Sequence, residues 1–228
     1  MSLLRHCVAA VLVMLAPGAA LAQQAPAAPA APPPHSGFQM ALRTGLGLPF
    51  GNTSGAPNDG FSRLVSTQVP LMLDIGGKLN PHFFLGAYLG LGFGGVGSEL
   101  ENECAPSSVT CVHGSLRFGV QLQYNVAPAA KVNPWVGYGI GIEASGVGAS
   151  SAGNEVSTAL AGFELARLMA GVDFRMASGI GVGPFVDFTL GRYSSATFDD
   201  GSGEQSFDIE DKAIHSWLTL GVRFVLFP

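Results

Sequence analysis

The side chains that could carry chemistry in this 228-residue chain are few and fall into small groups. His113 and Ser115 stand two positions apart, and His215 and Ser216 are adjacent. A histidine near a serine is the minimum for nucleophilic catalysis, because the imidazole must take the proton of the hydroxyl. A triad also needs a carboxylate that orients the histidine, and neither pair has one at a defined spacing. We therefore predict no catalytic residue and no cofactor.

Cys104 and Cys111 stand in the segment ENECAPSSVTCVHG, and the third cysteine, Cys7, lies close to the N-terminus. A zinc site would need further ligands besides these two thiols and His113, so we predict no metal site. In an oxidising compartment such a pair ends as a disulfide. We predict a Cys104–Cys111 disulfide that constrains a surface loop.

A run of carboxylates lies near the C-terminus, in SSATFDDGSGEQSFDIEDK. Its six acids are Asp199, Asp200, Glu204, Asp208, Glu210 and Asp211. Their spacing does not match that of a calcium-binding loop. We expect an acidic loop that is exposed to solvent.

The N-terminus has the features of an export signal. Arg5 precedes an apolar run over residues 7–15, and Ala20-Leu21-Ala22 matches a signal-peptidase site. The Pro/Ala-rich residues that follow favour an extended spacer. We predict a signal peptide over residues 1–22, a periplasmic spacer over 23–36 and a folded domain over 37–228.

The composition narrows the class of the folded domain. Only 12% of the residues are charged and 47% are hydrophobic, whereas disordered chains are rich in charge and poor in apolar residues. A net charge of −5 disfavours nucleic-acid binding. Thirty-two glycines and three lysines are atypical of a helical bundle. What remains is a β protein or a membrane protein.

Apolar and polar residues alternate with period two, which is typical of β-strands. Eight segments show the pattern: 38–50, 64–77, 82–96, 114–126, 135–147, 162–176, 180–193 and 214–227. The first half of the sixth, STALAGFELARL, fits a helix equally well, and that alternative stays open. Aromatic residues near the predicted strand ends (Phe83, Phe84, Phe93, Trp135 and Tyr193) suggest girdles at the membrane interface.

The charged residues of these segments fall on one face. Nine of ten lie opposite the large apolar side chains, and Glu164 is expected on the apolar face. The nine are Arg43, Asp74, Arg117, Glu143, Arg167, Asp173, Arg175, Asp187 and Arg223. A soluble sandwich would carry many Lys and Glu on its polar face, whereas this face carries glycine, glutamine and about one charge per strand. The pattern predicts a paired charge network inside a narrow lumen, with a gated ion path as the alternative.

The predicted connections alternate in length. Those over 51–63, 97–113, 148–161 and 194–213 are long, and those over 78–81, 127–134 and 177–179 are shorter. Transmembrane barrels have long loops outside and short turns in the periplasm. Eight strands also place both termini on the periplasmic side.

With these features the chain resembles the eight-stranded outer-membrane β-barrels of the OmpA/OmpX type over about residues 36–227. The ending HSWLTLGVRFVLFP is similar to the last strand that barrel assembly machinery reads, although Phe227 is out of step with Phe224 and Pro228 follows. The resemblance implies an all-β, antiparallel up-and-down transmembrane β-barrel in the cell outer membrane. Its implied partners are the assembly machinery and outer-membrane lipid with lipopolysaccharide.

The resemblance also implies a function. We expect a non-enzymatic integral outer-membrane barrel protein with a structural or surface-interaction role through its extracellular loops. The sequence does not identify the surface ligand. A narrow channel or conduit for small or hydrophobic solutes is the alternative. A second alternative is an enzyme that modifies lipid A, for which a mass shift of lipid A that depends on Ser115 or His113 would be the evidence.

Overall fold

The computed structural model describes residues 37–57, 59–101, 104–106, 108–151, 154–177 and 179–226. The predicted signal peptide and spacer, and residues 227–228, lie outside this described part. Within it, no helical segment has the length and apolar character needed to cross a membrane.

Nearly all of the described chain is β-strand. The strands are β1 (Gly37–Gly51), β2 (Val65–Lys78), β3 (Phe83–Val96), β4 (Val109–Asn125), β5 (Val132–Ser151), β6 (Asn154–Ala177), β7 (Ile180–Asp199), β8 (Glu204–Asp208) and β9 (His215–Leu226). One short helix, α1 (Phe61–Leu64), precedes β2. The helical alternative for the first half of the sixth segment is wrong, because those residues belong to β6.

Eight of the strands form a closed antiparallel ring. The first seven strands pair in chain order, from β1 with β2 to β6 with β7, and β9 closes the ring by pairing with both β7 and β1. The ninth strand, β8, pairs with β7 beyond the ring, from Asp199↔Glu204 to Ser195↔Asp208. This confirms the predicted eight-stranded up-and-down barrel. We call the end with Gly37 and Leu226 the base, and the opposite end the mouth.

Along each strand of the ring, apolar side chains point outward and polar side chains point into the lumen, which is the reverse of a soluble β protein. In β4, Leu116, Phe118 and Val120 are 48%, 53% and 52% exposed on the outside, while Arg117 and Gln121 are buried inside. The pleat puts alternate residues on opposite faces. Because the apolar face is the outer one, the polar face fills the lumen.

The ring closes at a seam between β1 and β9. Gly45 and Gly221 stand opposite each other there. A Cβ added to Gly221 would lie 2.0 Å from the carbonyl oxygen of Thr44, and one on Gly45 would lie 2.1 Å from that of Leu220. The two strands therefore approach too closely for any side chain at this pair.

Two of the predicted long connections are mostly strand. β5 and β6 pair from Ser145↔Leu160 to Ser151↔Asn154, which occupies most of the predicted 148–161 loop. Likewise β7 and β8 fill much of 194–213. The small residues there give no apolar alternation to detect, and their strand form comes from backbone pairing with a neighbour.

Candidate functional site

The middle of the lumen is crossed by two arginines that share one carboxylate. Arg43 on β1 donates from Nη2 to Asp74 Oδ1 at 2.7 Å and from Nη1 to Asp187 Oδ2 at 3.0 Å. Arg167 on β6 donates from Nε to the same Asp187 oxygen at 2.7 Å. These contacts join β1, β2, β6 and β7 through the interior, so the network ties opposite walls together.

A second ion pair lies nearer the base. Arg223 on β9 donates to Asp173 Oδ2 at 3.0 Å and to Gln123 Oε1 at 2.9 Å. Its guanidinium carbon lies 4.4 Å from the centre of the Trp135 ring, and the Trp135 indole N–H donates to Asp173 Oδ1. Cation, anion and aromatic ring thus fill this level of the lumen.

Nearer the mouth, Glu143 on β5 is the centre of a cluster. Its Oε1 accepts from Arg117 Nη2 at 3.3 Å, from the Tyr193 hydroxyl at 3.0 Å and from the Trp217 indole N–H at 3.1 Å. The Nε2 of His215 lies 3.4 Å from the same oxygen. This carboxylate therefore connects β4, β7 and β9.

Glu164 lies inside the lumen, so its predicted place on the outer face is wrong. It is only 1% exposed, and its Oε1 accepts from the Tyr88 hydroxyl at 2.7 Å. The pairing of β6 with β7 shifts register between Glu164 and Ala166. Such a bulge reverses which residues point inward, and period-two counting cannot detect it.

Arg175 lies nearer the base than these three clusters. It is half-buried at the base and donates from Nη2 to the carbonyl oxygen of Pro128 at 2.5 Å. The other eight predicted network residues are buried in the lumen together with Glu164. Among the described residues the lumen thus holds four buried arginines and five buried acids, and Lys78 is buried at its base end, so these formal charges balance.

The mouth of the lumen is closed by aromatic rings. Phe61 of α1 is fully buried, and its ring centre lies 5.8 Å from Tyr193, 4.9 Å from His215 and 5.1 Å from Trp217. The sequence placed Phe61 in a connecting loop, and it missed this role because one aromatic residue in a loop shows no periodicity.

The predicted aromatic girdle at the membrane interface is wrong for three of its residues. Phe84, Trp135 and Tyr193 are buried rather than exposed on the outer face.

Neither histidine–serine pair of the sequence forms a hydrogen-bonded pair in the structure. His113 Nε2 lies 3.0 Å from Ser145 Oγ, and Ser115 instead donates to Gln68 Oε1 at 2.8 Å. His113 and Ser115 are 3% and 9% exposed in the lumen. His215 is buried with Glu143, and Ser216 is on the other face of β9. No group of three or more possible metal ligands occurs within the described ranges.

The predicted disulfide between Cys104 and Cys111 is present, with Cα atoms 5.8 Å apart.

The acidic segment near the C-terminus is exposed at the β7–β8 turn. There the Ser202 hydroxyl and backbone N–H both donate to Asp200 Oδ1, which holds the pKa of that carboxyl below its usual range.

Charge outside the lumen is divided between the two ends. The acids described there all lie towards the mouth: Asp59, Glu99, Glu101, Glu155, Asp199, Asp200, Glu204, Asp208, Glu210 and Asp211. The basic residues of that half are Arg63, Arg192 and Lys212, and those of the base are Lys131 and the half-buried Arg175, beside the buried Lys78. The mouth is therefore strongly negative and the base is positive.

The outer surface decides where the molecule resides. Large apolar side chains on every strand of the ring are exposed, for example Phe38 on β1, Leu168 on β6 and Phe224 on β9, each more than half exposed. Soluble proteins rarely expose a continuous apolar belt of this kind to water, and a closed ring leaves no unpaired strand edge in lipid. The chain is an outer-membrane β-barrel. Membrane lipid therefore surrounds this belt.

Comparison with known proteins gives a likeness of fold. No family model matches the sequence, and no curated protein matches it. Solved structures that resemble it include outer membrane protein OprG from Pseudomonas aeruginosa, at 12% identity and a TM-score of 0.49, covering 85% of this chain and 98% of that one. AlkL in lipid bilayers gives 14%, 0.47, 90% and 97% for the same four quantities. The outer membrane protease OmpT from Escherichia coli gives 7%, 0.43, 84% and 93%.

These likenesses carry no information on activity. The identities and TM-scores are low, and the fold rests on the strand pairing of this chain itself. What this outer-membrane β-barrel does must be argued from its own charges and cavities.

Proposed function

We propose that this protein is a non-enzymatic surface protein that binds positively charged partners at its mouth. The mouth faces the exterior, and the base faces the periplasm, where the spacer over 23–36 follows cleavage of the signal peptide over 1–22. The observation that supports this proposal is the division of charge, with every described acid outside the lumen placed towards the mouth. A surface of one sign attracts partners of the other and speeds their association.

The filled lumen favours a binding role over a conduit. Arg43, Arg167 and Arg223 are fully buried between the walls, and Phe61 and Trp217 are fully buried above them. An eight-stranded barrel is only wide enough for its own side chains. In planar bilayers the purified protein should give no discrete conductance steps, and reproducible steps would favour the narrow-channel alternative instead.

The arrangement of the nucleophiles favours a role without catalysis. Ser115, His113 and Ser145 are buried in the lumen, and the His113 ring stacks on Trp217 of the aromatic closure of the mouth. A lipid A substrate would have to reach them through that closure. Mass spectrometry of lipid A from cells with and without the protein should show no difference, and a mass shift that depends on Ser115 would support the enzyme alternative.

The orientation and the binding can be tested with two measurements. A Ser202→Cys variant should react with an impermeant maleimide on intact cells, whereas Lys131→Cys at the base should react only after lysis. Proteoliposomes of neutral lipid that carry the protein should bind poly-L-lysine, with affinity that falls as salt rises. Labelling of the base variant on intact cells would contradict the orientation, and no poly-L-lysine binding at low salt would contradict the function.

We also propose that barrel assembly machinery inserts the chain by way of β9. This strand closes the ring by pairing with β1 over residues 215–226. Depletion of the machinery in cells should leave the protein unfolded and sensitive to protease. Unchanged levels of folded barrel after depletion would exclude this partner.

A further inference from the structure

Two adjoining cavities lie inside the mouth, above the aromatic closure. The first, here called the apolar cavity, measures about 380 Å³. Leu64, Leu100, Val109, Val156 and Phe198 line it together with the Cys104–Cys111 disulfide. Leu64 and Leu100 pack below on the buried cluster that contains Phe61 and Trp217. The cavity therefore has a fixed hydrophobic floor.

The second, here called the acidic cavity, measures about 420 Å³. Its lining includes four acidic residues, Asp59, Asp208, Glu210 and Asp211. None of its lining residues in the described part of the chain is a lysine or an arginine. A cation placed here would meet several negative charges at once, and an anion would be repelled.

The two cavities share part of one wall. Leu64 on α1 and Thr158 on β6 line both of them. A molecule seated on these two residues would reach into the apolar cavity on one side and into the acidic cavity on the other. The chemistry of the combined site is thus defined by its two halves, one apolar and one anionic.

We propose that the mouth binds an organic cation with an apolar body, which places its body in the apolar cavity and its charge towards the acidic one. This inference rests on the proposed function and names the ligand class at the same end of the barrel. Burial of apolar area favours binding of the ligand's body in the apolar cavity. Charge complementarity selects against anionic amphiphiles of the same shape.

The test compares two probes of one shape and opposite charge. Tetraphenylphosphonium and tetraphenylborate are each dialysed against the barrel in nanodiscs of neutral lipid, and binding to empty nanodiscs is subtracted. We expect saturable, one-to-one binding of tetraphenylphosphonium and none of tetraphenylborate. Equal binding of both ions would overturn the charge selection, and absence of saturable binding would overturn the site.

Two sets of variants locate the site. Thr158→Trp fills the shared wall and should weaken tetraphenylphosphonium binding at least tenfold, whereas Ala159→Trp, on the opposite face of the same strand, should leave it unchanged. Replacing Asp59, Asp208 and Asp211 by Asn should weaken binding by roughly tenfold at low salt, and by less at high salt. Binding unchanged by Thr158→Trp, in a variant whose heat-modifiable migration on a gel is normal, would overturn the assignment.

The two proposals fail separately. Poly-L-lysine responds to the charge of the whole mouth, so Thr158→Trp should not change its binding. Loss of tetraphenylphosphonium binding in a protein that still binds poly-L-lysine is the result expected for Thr158→Trp. A wild-type protein that binds the polymer and not the small cation retains the proposed function and refutes the cavity.

Discussion

Asp187 on β7 is shared by two arginines from other strands: its Oδ2 lies 3.0 Å from Arg43 Nη1 on β1, and it also pairs with Arg167 on β6. All three side chains are almost completely buried. Buried ions lose their hydration, and only close, well-oriented partners offset that loss. This carboxylate therefore stabilises the barrel by joining three strands of its ring.

Asp187→Asn should destabilise the barrel strongly. Arg167 would lose the carboxylate it pairs with most closely, and removing one member of a buried pair costs about 3–5 kcal/mol. The free energy of unfolding, measured by urea titration in lipid vesicles, should fall by that amount. Asp200→Asn, at the exposed β7–β8 turn, is the control and should not change it. A loss below about 1 kcal/mol, the range of surface pairs, would contradict the network.

Glu164→Gln should be tolerated far better than Asp187→Asn. The Oε2 of Glu164 lies 4.0 Å from Nη1 of Arg117, too far for a hydrogen bond. The hydrogen bond that its Oε1 accepts from the Tyr88 hydroxyl can be accepted equally by an amide oxygen. We expect a change within about 1 kcal/mol in the same urea titration. A loss as large as that of Asp187→Asn would show that Glu164 is a full member of an ion pair.

The sequence predicted the fold well because one simple period governs it. Lumen-facing and lipid-facing residues alternate over every strand of the ring, so nine charged residues could be placed on one face by counting alone. The many glycines of the polar face were also visible, and the structure gives their reason at Tyr88. A Cβ on Gly119 would lie 2.5 Å from the Tyr88 hydroxyl oxygen, so small residues make room for large inward ones.

The candidate site was much less predictable. Glu164 required a bulge, and no composition signal marks the residue at which the period slips. The mouth required contacts between distant segments, such as Phe61 in α1 with Trp217 in β9. The prediction of a loop over 148–161 was wrong, because the Ala, Ser and Gly residues there form strand only by backbone pairing between β5 and β6. Chain-distant packing, rather than local pattern, builds the cavities.

Phe61→Ala should loosen the mouth without unblocking the lumen. The substitution removes a fully buried ring that packs on Tyr193, His215 and Trp217, at a cost of about 3–5 kcal/mol for such a truncation. In a Trp135→Phe background the remaining indole reports on the mouth. Its emission should shift to the red, and acrylamide should quench it more.

Conductance gives the second readout for Phe61→Ala. Arg117, Arg167 and Arg43 remain buried deeper in the lumen, so planar bilayers should still show no discrete steps. Steps that appear only in this variant would mean that α1 alone closes an otherwise passable lumen. Phe83→Ala, which truncates an outward aromatic on β3, should leave the fluorescence and the conductance as they were.

Gly221→Ala should prevent the ring from closing. The added methyl group would lie 2.0 Å from the carbonyl oxygen of Thr44 across the β1–β9 seam, which is well inside van der Waals contact, and both sides of this contact are backbone. The strands must separate there, so two rows of hydrogen-bonding groups become exposed to lipid, where each unsatisfied group is costly. We expect loss of heat-modifiable migration on gels and degradation in cells. Gly114→Ala on β4 is the matched control, since the added methyl group would lie 3.9 Å from the carbonyl oxygen of Gly92, at an ordinary van der Waals distance. Normal migration of both variants would show that the seam can widen by this much, and the closure of the barrel would then not depend on the glycine pair.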